Sequence, residues 1–217
     1  MLCSNCNLDL LYNHELENND IPPMANKSRI IHAKCSVCGT FICLQDVRES
    51  IKDDKKVLLI TGTAGAGKTA LGQLIECCHN YIFIDGDAIQ KRENYFAKRN
   101  PSHIVDYQTE TLHTMLILLA LGYNVVVGYI INRETLSRYI EELNKHNITP
   151  VFRVLVPERA VCLKRDIDRE CWTAGENWVD MWYEDMRSYL TTHNSLCIDS
   201  SNETLEETYK NHFKKFL

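Results

Sequence analysis

No stretch of about 18 consecutive apolar residues occurs in this chain of 217 residues, so the sequence predicts no membrane-spanning helix and no membrane partner. The first residues lack a basic segment followed by an apolar one, so we expect no secretory signal and a cytoplasmic protein. Basic residues are not in excess: the formal net charge of -5 argues against broad binding of duplex nucleic acid, although a local basic groove stays open. The 45% hydrophobic content suffices for one α/β core and an appendage of roughly 50 residues.

Cysteine, by contrast, is abundant, with ten residues in the chain. Without an export signal we expect these thiols to stay free or to bind metal, because disulfides persist mainly in oxidising compartments. Two Cys-x2-Cys pairs lie 28 residues apart near the N-terminus: Cys3 with Cys6, and Cys35 with Cys38. Four thiolates on two tight turns are typical ligands of tetrahedral Zn²⁺.

This arrangement resembles a four-cysteine zinc ribbon in residues 1–50, with a longer interval than the roughly 15 to 20 residues that are usual. His32 and Cys43 are alternative ligands, and scattered structural thiols are the competing interpretation. Zinc ribbons contact nucleic acid, contact protein or only stabilise a fold. The resemblance therefore implies Zn²⁺ and leaves the partner open, with nucleic acid among the possibilities.

The most specific motif follows an apolar strand pattern: it is the P-loop pattern Gly-x4-Gly-Lys-Thr, and a helix pattern begins directly after it. Backbone N–H groups of such a turn surround a polyphosphate, and the helix start adds its positive dipole end. The residues expected to bind ATP are Gly62, Thr63, Ala64, Gly65, Ala66, Gly67, Lys68 and Thr69. In this pattern Lys68 reaches the β/γ-phosphates, and the Thr69 hydroxyl binds Mg²⁺.

Strand and helix patterns alternate over residues 51–217, which predicts an α/β domain: a P-loop NTPase three-layer sandwich with a five-stranded parallel sheet. The predicted strands are 57–61, 81–84, 124–129, 151–156 and 196–198. The predicted helices are about 67–79, 107–121, 133–146, 157–171, 178–190 and 203–216. Ligands of such sheets bind beyond the carboxyl ends of the strands. Loops at 88–108 and 129–135 should therefore shape the pocket.

Two carboxylates, Asp85 and Asp87, follow the second predicted strand on either side of Gly86. A carboxylate at this place would face the γ-phosphate and could accept the proton of a substrate hydroxyl or orient that hydroxyl. Asp before a helix is also a common N-cap. We assign the capping role to Asp85 and the catalytic role to Asp87.

The loop at 62–69, followed about 20 residues later by Asp-Gly-Asp, resembles one group of P-loop kinases. The group phosphorylates hydroxyls and includes adenylylsulfate kinase, gluconate kinase, polynucleotide 5′-hydroxyl kinase, chloramphenicol phosphotransferase and zeta toxin. The resemblance implies ATP and Mg²⁺ as cofactors and Asp87 as base or hydroxyl ligand. Several relatives carry an anion-binding Arg where this chain has Gln90, and Lys91 and Arg92 follow here.

The third strand pattern, VVVGYIINRE, ends without the acidic residue of a Walker B magnesium ligand. We therefore expect Mg²⁺ to be held by Thr69, the phosphates and water, with Asp85 or Asp87 in its second shell. Asn132 and Arg133 lie where relatives bring substrate-binding groups, but Asn before a helix is equally a cap.

The segment at about 157–175 resembles the lid of these kinases, whose arginines close over the triphosphate and stabilise charge on the transferred phosphoryl group. Arg165 and Arg169, four residues apart on one helix face, are the catalytic candidates, ahead of Arg159. The competing interpretation is a solvated face on which neighbouring aspartates pair with these arginines.

Two patterns near the end of the chain concern packing and the adenine. Trp178, Met181, Trp182 and Tyr189 recur at helical spacing, which indicates core or lid packing more than a base-stacking platform. In similar kinases the turn after the last strand lies against the adenine, so Asn202 is expected to bind ATP.

Asp199 and Ser200 are further candidates in that turn, and Asn202 could also cap the following helix.

Together these patterns predict an ATP-dependent kinase that transfers the γ-phosphate to a hydroxyl of a small molecule or nucleotide. One alternative is a polynucleotide or RNA 5′-hydroxyl kinase that uses the zinc module for nucleic-acid contact. Another is a nucleotide-dependent switch without a phosphate acceptor. The Asn-Lys-x-Asp tetrad of ordinary GTPases is absent, which excludes that form of switch.

Overall fold

The computed structural model describes residues 32–34, 41–43, 51–99, 106–169 and 173–217. The strands are β1 (His32–Lys34), β2 (Phe41–Cys43), β3 (Val57–Gly62), β4 (Tyr81–Asp85), β5 (Asn124–Gly128), β6 (Val151–Leu155) and β7 (Cys197–Ile198). Strands β3 to β7 form one sheet in the order β4-β5-β3-β6-β7, in which every neighbouring pair is parallel. The five predicted strands are confirmed to within one residue, and so is the predicted parallel sheet.

Helices connect these strands. They are α1 (Lys68–Cys78), α2 (Gly86–Arg99), α3 (Tyr107–Ala120), α4 (Arg133–Asn144), α5 (Arg159–Asp168), α6 (Glu176–Thr192) and α7 (Leu205–Thr208). A π-helical turn, Tyr209–Phe213, and a 3-10 turn, Lys214–Phe216, continue α7. Each predicted helix is found, with ends that differ by three residues at most.

Helix α2 corrects the sequence prediction, which had a loop from residue 88 to 108. The segment GDAIQKRENYFAKR is largely charged or polar, so it shows no broad apolar stripe from which a helix could be predicted. Its start is fixed instead by Asp85, whose carboxylate accepts a hydrogen bond from the backbone N–H of Asp87 at 3.0 Å. This local cap supplies a helix start that periodicity does not reveal.

The sheet separates two apolar cores because alternate residues of β3 point to opposite faces. Val57 and Leu59 belong to a core that also contains Met115 of α3 and Met186 of α6. Their neighbours on β3 face a second core, which includes Leu71 of α1 and Phe213 of the C-terminal helical turns; these neighbours are Leu58 and Ile60. Helices therefore cover both faces, as the three-layer prediction requires.

Phe83 of β4 holds α1 close to the sheet. A Cβ atom placed on Gly72 of α1 would lie 2.2 Å from the Phe83 ring, and one placed on Gly128 of β5 would lie 2.9 Å from it. The ring therefore fills the space left by two missing side chains. Next to it, the backbone N–H of Phe83 donates to Glu76 of α1 at 2.9 Å.

Strands β1 and β2 form a separate antiparallel pair, with His32 opposite Cys43. The four cysteines of the predicted zinc site, Cys3, Cys6, Cys35 and Cys38, lie outside the described residues. Within the described part of the chain, no group of three or more His, Cys, Asp or Glu residues could hold a metal ion. The zinc site therefore stays a prediction.

None of the helices in the described ranges combines the length and the apolar character needed to cross a membrane.

Candidate active site

The loop between β3 and α1 has a backbone conformation that favours glycine. Gly65 has a φ of 73°, and a Cβ atom there would lie 2.0 Å from the carbonyl oxygen of Cys162 in α5. Gly67 precedes α1 with a φ of 99°, and it has no side chain that could cap the N–H groups of the first turn. Those N–H groups remain available to an anion, which is the requirement of a phosphate-binding loop.

Replacing Gly65 by alanine should lower the free energy of unfolding by about 2 to 5 kcal/mol, because left-handed strain of about 1 to 2 kcal/mol adds to overpacking of about 1 to 3 kcal/mol. The matched control is Gly122→Ala, since Gly122 also has a positive φ, 91°, but no atom within 4 Å of the added Cβ. Denaturant unfolding of both variants measures the difference. Equal losses for the two would contradict the close contact with α5.

Lys68 is the first residue of α1, and its side chain folds back over this loop. Its Nζ donates hydrogen bonds to the carbonyl oxygens of Gly62 and Thr63, both at 2.9 Å. Burial of the ammonium group lowers the pKa of Lys68 to about 8; the negative charge of Asp87 opposes this shift, and the positive charge of Arg169 adds to it. Anionic oxygens of a bound polyphosphate would favour the charged form of Lys68 again.

Asp85 and Asp87 stand at the carboxyl end of β4, across from Lys68. Burial and the neighbouring charge of Asp87 raise the pKa of Asp85, while the N–H groups that it accepts in capping α2 act in the opposite sense. Asp87 lies in the first turn of α2, and its charge acts on both Lys68 and Tyr129. The capping role expected of Asp85 is therefore seen in the geometry, and the catalytic role of Asp87 stays a prediction.

Tyr129 fixes the position of the Asp85–Asp87 turn. A Cβ atom on Gly86 would lie 2.0 Å from the Tyr129 ring, so the turn can pass the ring only with glycine between the two aspartates. The Tyr129 hydroxyl donates to Gln90 at 3.4 Å. Burial, together with the charge of Asp87, raises the pKa of Tyr129, so this phenol stays protonated.

One cavity of about 960 Å³ joins these groups. Its lining includes the phosphate loop from Ala64 to Thr69, the carboxylates Asp85 and Asp87, and the arginines Arg165 and Arg169. Gln90 and Lys91 of α2 also face it. Residues that are far apart in the sequence, from Ala64 to Arg169, thus surround one cavity at the carboxyl ends of the strands.

The lining also fits Mg²⁺ chemically. Mg²⁺ prefers oxygen ligands and keeps several waters. The Thr69 hydroxyl and the two carboxylates are such oxygens, and all three residues line the cavity. Strand β5 ends at Gly128 without an acid, as the sequence showed, so Thr69 would hold the ion with the phosphates and water, and Asp85 or Asp87 would lie in its second shell.

Arg165 joins α5 to the turn after β7. Its guanidinium donates to the backbone carbonyl of Ser200 at 2.9 Å, and Ser200 is buried. Because Arg165 also lines the cavity, this bond holds a positive charge at the edge of the cavity formed by the turn after β7. The expected role of Arg165 on the triphosphate stays a prediction.

Arg169 is paired within its own segment. It forms an ion pair with the buried carboxylate of Asp166, three residues earlier. Asp166 also accepts the backbone N–H groups of Ala174 and Gly175, at 2.9 and 3.1 Å. The local pairing of the competing interpretation is therefore seen for Arg169, but its solvated face is not, because Asp166 is buried and Arg169 lines the cavity.

Arg159 has a structural position. It forms ion pairs with Asp180 and Glu176 of α6, and these pairs hold α5 against α6. Both carboxylates raise the pKa of Arg159. The sequence analysis placed Arg159 behind Arg165 and Arg169 as a lid residue, and its ion pairs with α6 agree with that order.

The turn after β7 differs in detail from the prediction. Thr204, not Asn202, caps α7, and its side chain and that of Glu207 form a reciprocal capping box. Asn202 is exposed and does not line the cavity, whereas Glu203, Thr204 and Leu205 do. The capping prediction for Asn202 is wrong, because the helix starts two residues later than expected. Its contact with ATP stays a prediction.

Asp199 and Ser200 lie in the same turn. Asp199 accepts the backbone N–H of Ser201 at 2.9 Å, and Ser200 lines the cavity.

Asn132 and Arg133 each make contacts within the protein, so their positions need no bound substrate. Asn132 caps α4 and accepts the N–H of Thr135 at 2.9 Å. Arg133 donates to Thr192 of α6 at 2.8 Å and lies over the Tyr189 ring. Capping is thus the observed role of Asn132.

The aromatic stripe of α6 faces more than one environment. Tyr189 is buried in the core, as predicted. Trp182 is half-buried against that core and also lines the cavity, while Trp178 lines the cavity and is 55% exposed. Met181 is exposed. The prediction of packing is therefore correct for Tyr189, incomplete for the two tryptophans and wrong for Met181, because helical spacing does not indicate what a stripe faces.

No protein-family model matches the chain, and no curated protein matches it either. Among solved structures, a gluconokinase from Sinorhizobium meliloti 1021 is similar with a TM-score of 0.53 and 20% identity, over 73% of this chain and 89% of that one. A tunicamycin resistance protein from Deinococcus radiodurans is similar with a TM-score of 0.51 and 14% identity, over 72% of this chain and 92% of that one. At these identities the likeness establishes a shared fold alone, and the predicted α/β architecture with a five-stranded parallel sheet is confirmed.

Proposed function

We propose that this chain is an ATP-dependent phosphotransferase that moves the γ-phosphate of ATP to a hydroxyl group of a small molecule or nucleotide. The observation that carries the proposal is the single cavity in which the phosphate loop and Lys68 face Asp87 and Gln90. One wall suits a triphosphate, and the other offers a carboxylate to a hydroxyl. A fold shared with a gluconokinase supports the same conclusion.

In this mechanism the N–H groups of the loop and of the first turn of α1 surround the phosphates of ATP. Lys68 exchanges its bonds to the two loop carbonyls for bonds to phosphate oxygens and stabilises the charge that develops during transfer. Thr69, with Asp85 and Asp87 nearby, would hold Mg²⁺, which neutralises phosphate charge when bound. Asp87 orients the acceptor hydroxyl and accepts its proton.

A panel of hydroxyl compounds incubated with γ-labelled ATP and Mg²⁺ tests the proposal. Transfer of label to an acceptor is the expected result. The panel should hold polyols, sugar acids, nucleosides and RNA with a 5′-hydroxyl, so that the kind of acceptor is read directly. Hydrolysis without transfer to any of them would favour a nucleotide-dependent switch and would overturn the kinase proposal.

Arg165→Ala should lower kcat/KM for ATP about tenfold to a hundredfold, because it removes a charge beside the triphosphate and the bond to Ser200. Arg187→Ala is the control. Arg187 is an exposed residue of α6, and the ion pair described for it is with Glu184, three residues earlier on the same helix. Steady-state kinetics of both variants decide the matter. An Arg165 variant with the kinetics of the Arg187 control would remove Arg165 from the mechanism.

A further inference from the structure

Two tryptophans of α6, Trp178 and Trp182, line the cavity in addition to the residues used above. They are four residues apart, so they project from one face of the helix. Trp182 packs against the core that contains Ile89 of α2 and Ile131, rather than the core on the α1 side of the sheet. Because α2 also carries Asp87 and Gln90, Trp182 and the proposed base come from helices that pack on the same face of the sheet, and both line the cavity.

The position of these tryptophans is fixed by contacts close to them. The Thr63 hydroxyl of the phosphate loop donates to the backbone carbonyl of Val179 at 2.9 Å, in a buried contact. On the next residue, Asp180 is held by Arg159 of α5. The first turns of α6 are therefore joined to the loop between β3 and α1, and the backbone that carries the two indole rings has a set place relative to that loop.

The part of the cavity lined by Trp178 and Trp182 suits a flat aromatic ligand. Indole rings offer flat apolar faces on which aromatic rings stack. The polar groups of the lining near Asp87 are the Gln90 amide, two carboxylates and the ammonium group of Lys91, so the lining offers both donors and acceptors to a neutral acceptor. The cavity of about 960 Å³ is at the upper end of the range of roughly 300 to 1,000 Å³ for ligand sites, so it has room for an acceptor beside the nucleotide.

We propose that the acceptor is a hydroxyl compound whose other end is a flat heteroaromatic ring, as in a nucleoside, and that this ring lies against Trp182 and Trp178 with the hydroxyl directed to Asp87. The inference rests on the proposed function, because it names the class of acceptor for the same site. In the transfer, the acceptor oxygen forms a bond to the γ-phosphorus and the bond from that phosphorus to the β,γ-bridging oxygen breaks. The hydroxyl proton goes to the Asp87 carboxylate, and ADP leaves.

The experiment compares four ribonucleosides with methyl β-D-riboside, which keeps the sugar and lacks the ring. Calorimetry is done on the full chain with a non-hydrolysable ATP analogue and Mg²⁺ present, so that the ATP site is filled. We expect at least one nucleoside to bind about fivefold to a hundredfold more tightly than the riboside, as stacking on an aromatic side chain provides. If no nucleoside binds better than the riboside, the inference is overturned.

The variants Trp178→Ala and Trp182→Leu should each remove most of that difference and leave the affinity for the ATP analogue unchanged. Trp178 is the cleaner position, because it is exposed and its loss should not disturb the core. Met181→Ala is the control, since Met181 is exposed on the same helix but does not line the cavity. Unchanged nucleoside binding in Trp178→Ala, with Trp182→Leu unchanged or unfolded, would overturn the inference.

Calorimetry also separates this inference from the proposed function. Tight binding of a nucleoside, with no transfer of labelled phosphate to any compound of the panel, would refute the kinase and keep the binding of a ring to Trp178 and Trp182. Transfer only to compounds that lack an aromatic ring would keep the kinase proposal and would refute the binding of an acceptor ring to Trp178 and Trp182.

Discussion

Replacement of Lys68 by alanine should lower kcat/KM by about 10² to 10³, because the variant loses the preorganised charge that faces the transferred phosphoryl group. The side chain makes its two hydrogen bonds within the loop, so its removal should leave the fold in place. Lys164→Ala is the matched control, since Lys164 is an exposed residue of α5. Phosphate transfer and thermal unfolding should be measured on both variants. Full transfer by the Lys68 variant would end the assignment.

The pH dependence gives this prediction a second readout. The pKa of Lys68 is lowered to about 8, so the unliganded protein loses the charged form as pH rises through that value. Since kcat/KM reports the free enzyme, it should fall above about pH 8. In the complex, phosphate charge favours the ammonium form, so the fall in kcat should occur at higher pH. The arginine of a Lys68→Arg variant stays charged at all these pH values, so the residual kcat/KM of that variant should not decrease above about pH 8.

The second large effect is expected for Asp87→Asn. The amide has the shape of the carboxylate but cannot accept the hydroxyl proton as a base, and general-base catalysis contributes about 10² to 10⁴. We therefore expect kcat to fall by about that factor, while KM for ATP changes little. Single-turnover transfer to the best acceptor of the panel separates the chemical step from product release.

Asp85→Asn is the comparison that assigns the two carboxylates. Its side-chain oxygen can still accept the N–H of Asp87, so the cap of α2 is kept. A smaller loss of kcat than in the Asp87 variant is expected. If the Asp85 variant loses more, the roles are reversed, and Asp85 is the base.

Much of the fold could be predicted because its signals are local. The apolar strands are bounded by clear turns, and the glycines of the loop at 62–69 permit the positive φ angles that this turn requires. Helix α2 could not be predicted in the same way: the cap assigned to Asp85 indicates where a helix can begin, but the segment has too few apolar residues to show how far the helix extends. Strand positions thus follow from the sequence, whereas a polar helix depends on its neighbours.

For the site, the P-loop motif selected Lys68, the position after a strand selected Asp87, and the resemblance to a kinase lid selected Arg165; all three line one cavity. The environment of each was not available from the sequence. Periodicity places Trp178 and Trp182 on one face but does not say that this face meets the cavity. That depends on the rotation of α6, which a contact far away in sequence fixes: the bond from Thr63 to Val179.

The Phe83 ring between Gly72 and Gly128 has a consequence for the evolution of this chain. It joins the helix that follows the phosphate loop to the strand that ends at Asp85, so it sets the spacing between the donor and acceptor halves of the site. A methyl group at Gly72 would be tolerated only after the ring had become smaller, and a smaller ring alone would leave a void. The three positions form an epistatic unit: single steps away from it are costly, and compensated changes must arise together.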